Sequence, residues 1–557
     1  MVTLATAKLK LPKIDSPVSF VPEKSRGELF TAVAVFFAAG LFLWPLRDFV
    51  SFNADDGFTL VAAERILRGQ LPYRDYFTFI MPGSPYLMAT WFKLFGASYV
   101  VAKSVLLVYA GIFGAITYLL ARRLYDRSTA LFAAALLVLG CMPFRFLVLH
   151  NWDSMLLASI TLYCAQRALE APSRSWSFFT GFSAASTCLI EQSRGAGVLL
   201  GLVIAAAIFM VRPHSRRTDS FAKLCWAAAG FVIPLTFTFA YFASQHALKA
   251  MLDSLLWPAS HYSTVNRVTF GWVPISNLGD LYLTGSLGGR LLVAFFSAPM
   301  LLISVLSLMV LASTVYAMPQ RYKSAPSAAL DLQVLGGSVF FGAFLAFLAT
   351  GRRDTHRLFY LAPLFVYLVP SILNINQPRL KTLYRARPLV ACLLLFSFAG
   401  FGMIPILNAL RHTARTETRR GTVRFGYRDE VVPYVERHVA EGQPLYVHPY
   451  QPMYNFLTGT ANPTRFDFLQ PGMATAEQYE SAIRDLDRTQ FVLLDTTFAA
   501  DKIPETWPST PDRAIASDPL ADYIVRHYRA CRFLNLNPPQ IWSFYFMVRN
   551  DMQCPAD

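Results

Sequence analysis

The chain has 557 residues, of which 54% are hydrophobic and only 15% charged, and it carries a formal net charge of +15. Water-soluble domains hold roughly a quarter of their residues as charges, so most of this surface faces something other than water. The excess of Lys and Arg lies in short loops between apolar stretches, which accounts for the positive balance without a nucleic-acid partner.

Those stretches run about 17 to 25 residues, the length that crosses a hydrocarbon layer of about 30 Å. They fall at 28–49, 99–121, 127–149, 153–169, 176–190, 195–211, 221–243, 290–317, 331–350, 358–375 and 388–410. The pattern predicts an α-helical polytopic membrane protein with about eleven transmembrane helices. The fifth and sixth blocks are short and meet at Glu191-Gln192-Ser193-Arg194, which leaves a partly crossing hairpin as an alternative. Residues 1–27 contain Lys8, Lys10, Lys13, Lys24 and Arg26, and no small-residue cleavage site follows the first block. A retained first helix is expected, not a cleaved signal.

Loop charges give a direction. Arg122, Arg123 and Arg127, then Arg167 and Arg174, Arg212 to Lys223, Arg321 and Lys323, and Arg379 to Arg387 fall on the same side as the N-terminus. The positive-inside bias predicts a cytoplasmic N-terminus. An odd number of crossings then puts 411–557 outside, which in a bacterial inner membrane is the periplasmic or extracellular side. The expected organisation is a cytoplasmic segment 1–27, a membrane domain 28–410 with a first outer loop over 50–98, and an outer α/β domain over 411–557.

That first outer loop opens with Asp55-Asp56-Gly57, and the spacing predicts a short amphipathic helix over 57–69 and an interfacial helix over 86–96. Two carboxylates at a helix start are a cap on a favourable dipole, or a base with a neighbour that tunes it. His150-Asn151-Trp152-Asp153 opens the fourth block with another acid, and Glu191 and Arg194 are expected to pair. Segment 244–289 mixes His261 and Tyr262 with tryptophans, as an interfacial helix or a sugar-binding lid would. Arg352, Arg353, Arg357 and His356 crowd one outer loop against the loop-charge rule. Arginine's planar fork suits a phosphate, so Arg352, Arg353 and His356 are candidates to contact one.

Past 410 the apolar blocks stop. Strands are expected over 444–450 and 491–497, a helix over 475–489, and a hairpin pairing 531–537 with 541–549. Cys531 and Cys554 are the two cysteines outside the membrane blocks, and a disulfide between them is chemically permitted there.

Asp55-Asp56-Gly57, the run Ala63 to Asp75 with its Leu71-Pro72-Tyr73-Arg74, then Pro85-Tyr86 and Phe92 to Gly96, resembles the start of the GT-C glycosyltransferases. The chain is most similar to the bacterial branch related to protein O-mannosyltransferases and lipid A aminoarabinose transferases. The resemblance is good over 28–210, looser to 410 and weak beyond. It implies a GT-C-like fold and transfer of a sugar from a polyprenyl-phosphate donor to a lipid, glycan or protein acceptor on the outer face. It places Asp55 at the family's first-loop catalytic aspartate, Asp56 where Glu often stands, and Asp153 at the acid that opens the fourth helix. Tyr73, Asp75 and His261 are candidates for a substrate loop. Met81-Pro82-Gly83-Ser84-Pro85 departs from the family's paired prolines and lacks the acidic-basic pair before them, so a divalent metal has no clear ligand set. A transporter or flippase would share the hydropathy but should show internal repeats, and none is visible. An O-antigen ligase or polymerase would share the location but place its main loop later in the chain.

Overall fold

The computed structural model describes residues 26–50, 54–171, 173–210, 217–262, 267–271, 285–323, 328–373, 381–411, 413–496, 518–535 and 543–556. A helix stands over every apolar block. They include α1 (Arg26–Leu43), α4 (Tyr99–Arg122), α5 (Arg127–Ala135), α6 (His150–Glu170), α7 (Arg174–Ile190), α8 (Gln192–Met210) and α9 (Arg217–Ser244). Between α1 and α4 lie α2 (Ala54–Leu67) and α3 (Gly83–Phe95), the two short helices expected in the first loop. After α9 come α10 (Leu248–Ser260), α11 (Leu287–Ser297), α12 (Pro299–Lys323), α13 (Ala328–Ala349), α14 (Thr355–Phe365), α15 (Val369–Leu373) and α16 (Lys381–Leu410).

Eight helices among the described residues are long and apolar enough to cross a membrane, against the eleven apolar blocks. The shortfall has a physical cause. The block over 358–375 breaks into the 11-residue α14, a 3-10 turn and the five-residue α15, and its residues from Leu358 to Val369 are buried in protein. Its apolarity reflects a place in the core and not a lipid-facing surface. The 21-residue α6 buries Ser154, Ser159, Thr161 and Gln166 among its neighbours, and α7 has 17 residues. Helices α7 and α8 meet at Glu191, the hairpin position foreseen from the sequence.

Residues 413–556 carry the α/β elements. Strands β2 (Ala414–Thr416) and β3 (Val423–Phe425) join β1 (Phe49–Val50), a strand from the end of the first membrane segment, in the order β1-β3-β2. Strands β4 (Leu445–His448), β5 (Phe491–Asp495), β6 (Tyr528–Leu534) and β7 (Phe544–Arg549) form a second sheet ordered β4-β5-β7-β6. The pair β4 and β5 is parallel, and β6 pairs antiparallel with β7 as the expected hairpin; its Pro538-Pro539 turn lies outside the described residues. Helices α17 (Val431–His438), α18 (Met453–Thr458), α19 (Ala476–Leu486) and α20 (Pro519–His527) complete the unit. A capping box between Thr475 and Gln478 fixes the start of α19. A disulfide joins Cys531 to Cys554, with Cα atoms 5.5 Å apart.

This unit is clamped to the first loop. Arg420 reaches Glu64 at 2.6 Å, Arg65 reaches Asp467 at 2.8 Å, and Arg424 pairs with Asp48 at 2.5 Å. Gly57 lets α2 lie directly on the backbone of α18, since a Cβ there would run into Met453. Both surfaces of α2 are thereby used: one packs on the α/β unit, and the other faces a cavity.

Candidate active site

The cavity has a volume of about 770 Å³. Its walls come from α2, the segment 76–85, the start of α6, the break between α7 and α8, the end of α10, the loop 350–357 and the α/β unit. Most groups that line it are apolar or aromatic, so the few charged side chains facing it stand out.

Asp55 is one of them. It lies in the first turn of α2, where its charge favours the helix dipole. The hydroxyl of Tyr450, from the segment following β4, donates to Asp55 Oδ1 at 3.2 Å. Edge contacts with Phe58 and Phe468 hold the Tyr450 ring. Burial, with Asp55 beside it, pushes the Tyr450 phenol well above its ordinary value, so it stays a proton donor.

Asp56 goes elsewhere. One residue along a helix rotates a side chain by about 100°, and that rotation buries Asp56 completely. Lys103 Nζ and the Tyr99 hydroxyl each meet its Oδ2 at 3.2 Å, and the Val148 amide donates to Oδ1. The paired-carboxylate expectation therefore separates into one cavity-facing acid and one interior ion pair. Asp153 does not line the cavity either. It sits in the first turn of α6, buried against the Ser84 hydroxyl, and Ser84 is itself part of the cavity wall. The cap of α6 is Leu149, so Asp153 is not capping its helix.

The cationic loop contributes different residues from those expected. Arg352 lines the cavity, together with Arg357 and Arg145. Arg353 turns outward, exposed, and donates to the Leu348 carbonyl at 2.8 Å. His356 packs its ring on Phe144 with centroids 5.2 Å apart. Burial, with Arg145 adding to it, pushes this imidazole down to about 3, and the stacked ring does not line the cavity. Asp354 caps α14 by accepting from the Arg357 amide at 3.0 Å and meets Arg352 Nε at 3.2 Å. Burial raises its carboxyl, but Arg352 and Arg357 outweigh that and hold it at about 2. Arg357 also donates to the Tyr262 hydroxyl at 2.6 Å.

The three substrate-loop candidates shape the site without lining it. Tyr73 sits buried at φ 69° and donates to the Ile80 carbonyl at 2.8 Å. Asp75 accepts from the Leu71 amide at 2.7 Å and pairs with Arg74. Both brace the turn that delivers 76–82 to the cavity. His261 stacks on Trp257 at 5.0 Å, while its neighbour Tyr262 reaches the cavity.

Sequence reasoning missed Tyr450, His150 and Arg145 as cavity residues, and it read Glu191 first as the partner of Arg194. Glu191 had a signal, a charged tetrapeptide between two short apolar blocks. Tyr450 had none. Among the described residues no group of three or more His, Cys, Asp or Glu is placed to hold a metal ion.

Residues 81–242 match a family model described as dolichyl-phosphate-mannose-protein mannosyltransferase. No curated protein matches the chain in sequence. The fold is similar to the crystal structure of ArnT from Cupriavidus metallidurans bound to undecaprenyl phosphate. The TM-score is 0.54 at 12% identity, over 95% of this chain and 99% of that one. The apo structure of the same ArnT gives 0.54 at 13% identity, over 95% of this chain and 100% of that one.

Proposed function

From the premise that this chain has the GT-C fold of membrane glycosyltransferases, we propose that it transfers a sugar from a polyprenyl-phosphate donor to a hydroxyl-bearing acceptor at the outer face of the membrane. The observation that carries this reading is one cavity lined by Asp55 and by Arg145, Arg352 and Arg357. The ArnT structure with undecaprenyl phosphate supports the lipid class of the donor. The Cys531–Cys554 disulfide supports an oxidising compartment for the α/β unit. A membrane domain over 28–410 would then present its cavity to an outer domain over 411–557.

The chemistry needs two things from the protein. The acceptor hydroxyl gives its proton to the Asp55 carboxylate as its oxygen attacks the anomeric carbon. The bond from that carbon to the phosphate oxygen breaks, and both electrons leave with the lipid phosphate, whose negative charge grows. Arg352, Arg357 and Arg145 receive that charge through charge-assisted hydrogen bonds. Tyr450 holds the Asp55 carboxylate in place, and Asp354 holds Arg352 and the start of α14. The acceptor is a lipid, a glycan or a protein, and the α/β unit covers the cavity from the acceptor's side.

Asp55→Asn tests the reading. The variant should reach the membrane at the wild-type level and fail to release undecaprenyl phosphate from undecaprenyl-phosphate-linked sugars supplied to acceptor-bearing membranes. Undiminished release would remove Asp55 as the base. For topology, a cysteine at position 55 should label from outside in intact cells, and labelling only after permeabilisation would reverse the orientation.

A further inference from the structure

The mechanism leaves part of the cavity unused. At the start of α6, the imidazole of His150 and the carboxamide of Asn151 line it, half-buried. Among the described residues neither side chain has a hydrogen-bond partner; His150 Nε2 stands 3.8 Å from Glu191 Oε2. Both side chains thus present their donors and acceptors to whatever fills this end of the cavity. Their neighbours at the α7–α8 break are already committed. Gln192 donates to the Phe79 carbonyl at 2.8 Å and accepts from the Met81 amide at 3.2 Å, which fixes the segment 79–81. Ser193 donates to Glu191 Oε1 at 3.1 Å, and Arg194 Nε meets Glu191 Oε2 at 3.0 Å. The Arg194 head also donates to the Asn151 carbonyl at 3.1 Å, tying the start of α6 to the start of α8.

The chemistry of this corner selects its occupant. A carboxamide and an imidazole each offer both a donor and an acceptor, and Arg194 balances the carboxylate beside them. The Glu191 carboxylate disfavours an anion placed against it, and an apolar group would forgo the donors and acceptors that Asn151 and His150 present. Hydroxyl groups, which donate and accept at once, satisfy all three side chains. We infer that His150, Asn151 and Glu191 form the subsite that grips the hydroxyls of the donor's sugar, apart from the arginines that hold its phosphate. This rests on the glycosyltransferase reading above.

The test uses the full chain in nanodiscs and native mass spectrometry. The probes are undecaprenyl phosphate alone and undecaprenyl phosphate linked to mannose, glucose or 4-amino-4-deoxyarabinose. Wild type should prefer at least one sugar-linked lipid over the bare lipid. Asn151→Ala should weaken that lipid about tenfold, the worth of a lost hydrogen bond or two, and leave the bare lipid within about twofold. His150→Ala should do the same, and it carries the test alone if Asn151→Ala does not fold. A preference that survives both substitutions overturns the subsite, as does an equal loss for bare and sugar-linked lipid, which would make this a phosphate site. Wild type that binds bare lipid but shows no preference for any sugar overturns the subsite alone. Wild type that binds no prenyl phosphate overturns the glycosyltransferase reading and the subsite with it.

Discussion

The start of α2 and the loop that leads into α14 are built alike and behave differently. Each presents neighbouring residues of one charge, Asp55-Asp56 and Arg352-Arg353, and each sends one toward the cavity and its neighbour away. The fate of the second residue differs. Asp56 is locked in a buried pair with Lys103, whereas Arg353 reaches solvent. A doubled charge in sequence therefore marks a site without saying which member works, and the cost of losing the idle member depends on where it is buried.

Breaking this comparison at its strongest point means separating Asp55 from Asp56. Asp55→Asn is predicted to lower the transfer rate about 10² to 10⁴-fold, the usual worth of a general base, with an unchanged melting temperature in detergent. Asp56→Ala is predicted to act the other way round: it strands a buried ammonium and costs about 3–5 kcal/mol of stability, read as a large drop in that melting temperature. If both variants lost activity while staying equally stable, the two acids would share the chemistry and the contrast would fall.

The cationic side offers a milder pair. Arg357→Ala should reduce turnover by roughly one to two orders of magnitude, as loss of a charged donor to a developing phosphate charge does, measured as release of undecaprenyl phosphate. Arg353→Ala should change stability by no more than about 0.5 kcal/mol and leave release unaltered. A stronger effect from Arg353 than from Arg357 would restore the assignment read from sequence.

His356 sharpens the same comparison through pH. Its value in the fold, about 3, lies below the ordinary 6.5, so the folded state resists charging it. The stability tied to the neutral ring is whole above 6.5 and is lost as pH falls from there toward 3. At pH 5 the loss is about 2 kcal/mol at most. His356→Phe should keep the stacking on Phe144 and show a smaller fall in melting temperature between pH 7 and pH 5. An equal fall in both proteins would place the acid sensitivity elsewhere.

Much of the fold was legible because lipid and water impose simple patterns. Apolar lengths located every long helix, Asp55-Asp56-Gly57 located α2, and alternation with turn residues located β4, β5 and the β6–β7 hairpin. Part of what failed comes from burial in protein and burial in lipid looking the same in composition. The block at 358–375 is apolar because α14 lies in the core. The site was legible in its anchors, Asp55 and Arg352, and not in its assembly. Tyr450 approaches Asp55 across 395 positions of chain, and no local pattern encodes such a meeting. Whether Arg353 or Arg357 faces inward depends on the Asp354 cap that sets the first turn of α14.

Gly57 follows an acidic pair, at the start of the helix expected from the sequence. It sits inside a helix, and what its position demands is volume: there is no room for a methyl group above Met453. Alanine, the better helix former, would thus be the worse residue here. It would wedge the α/β unit off α2 and draw the Tyr450 hydroxyl away from Asp55. A mutational scan scored on activity should find position 57 intolerant of every side chain, although none of those side chains would touch the substrate.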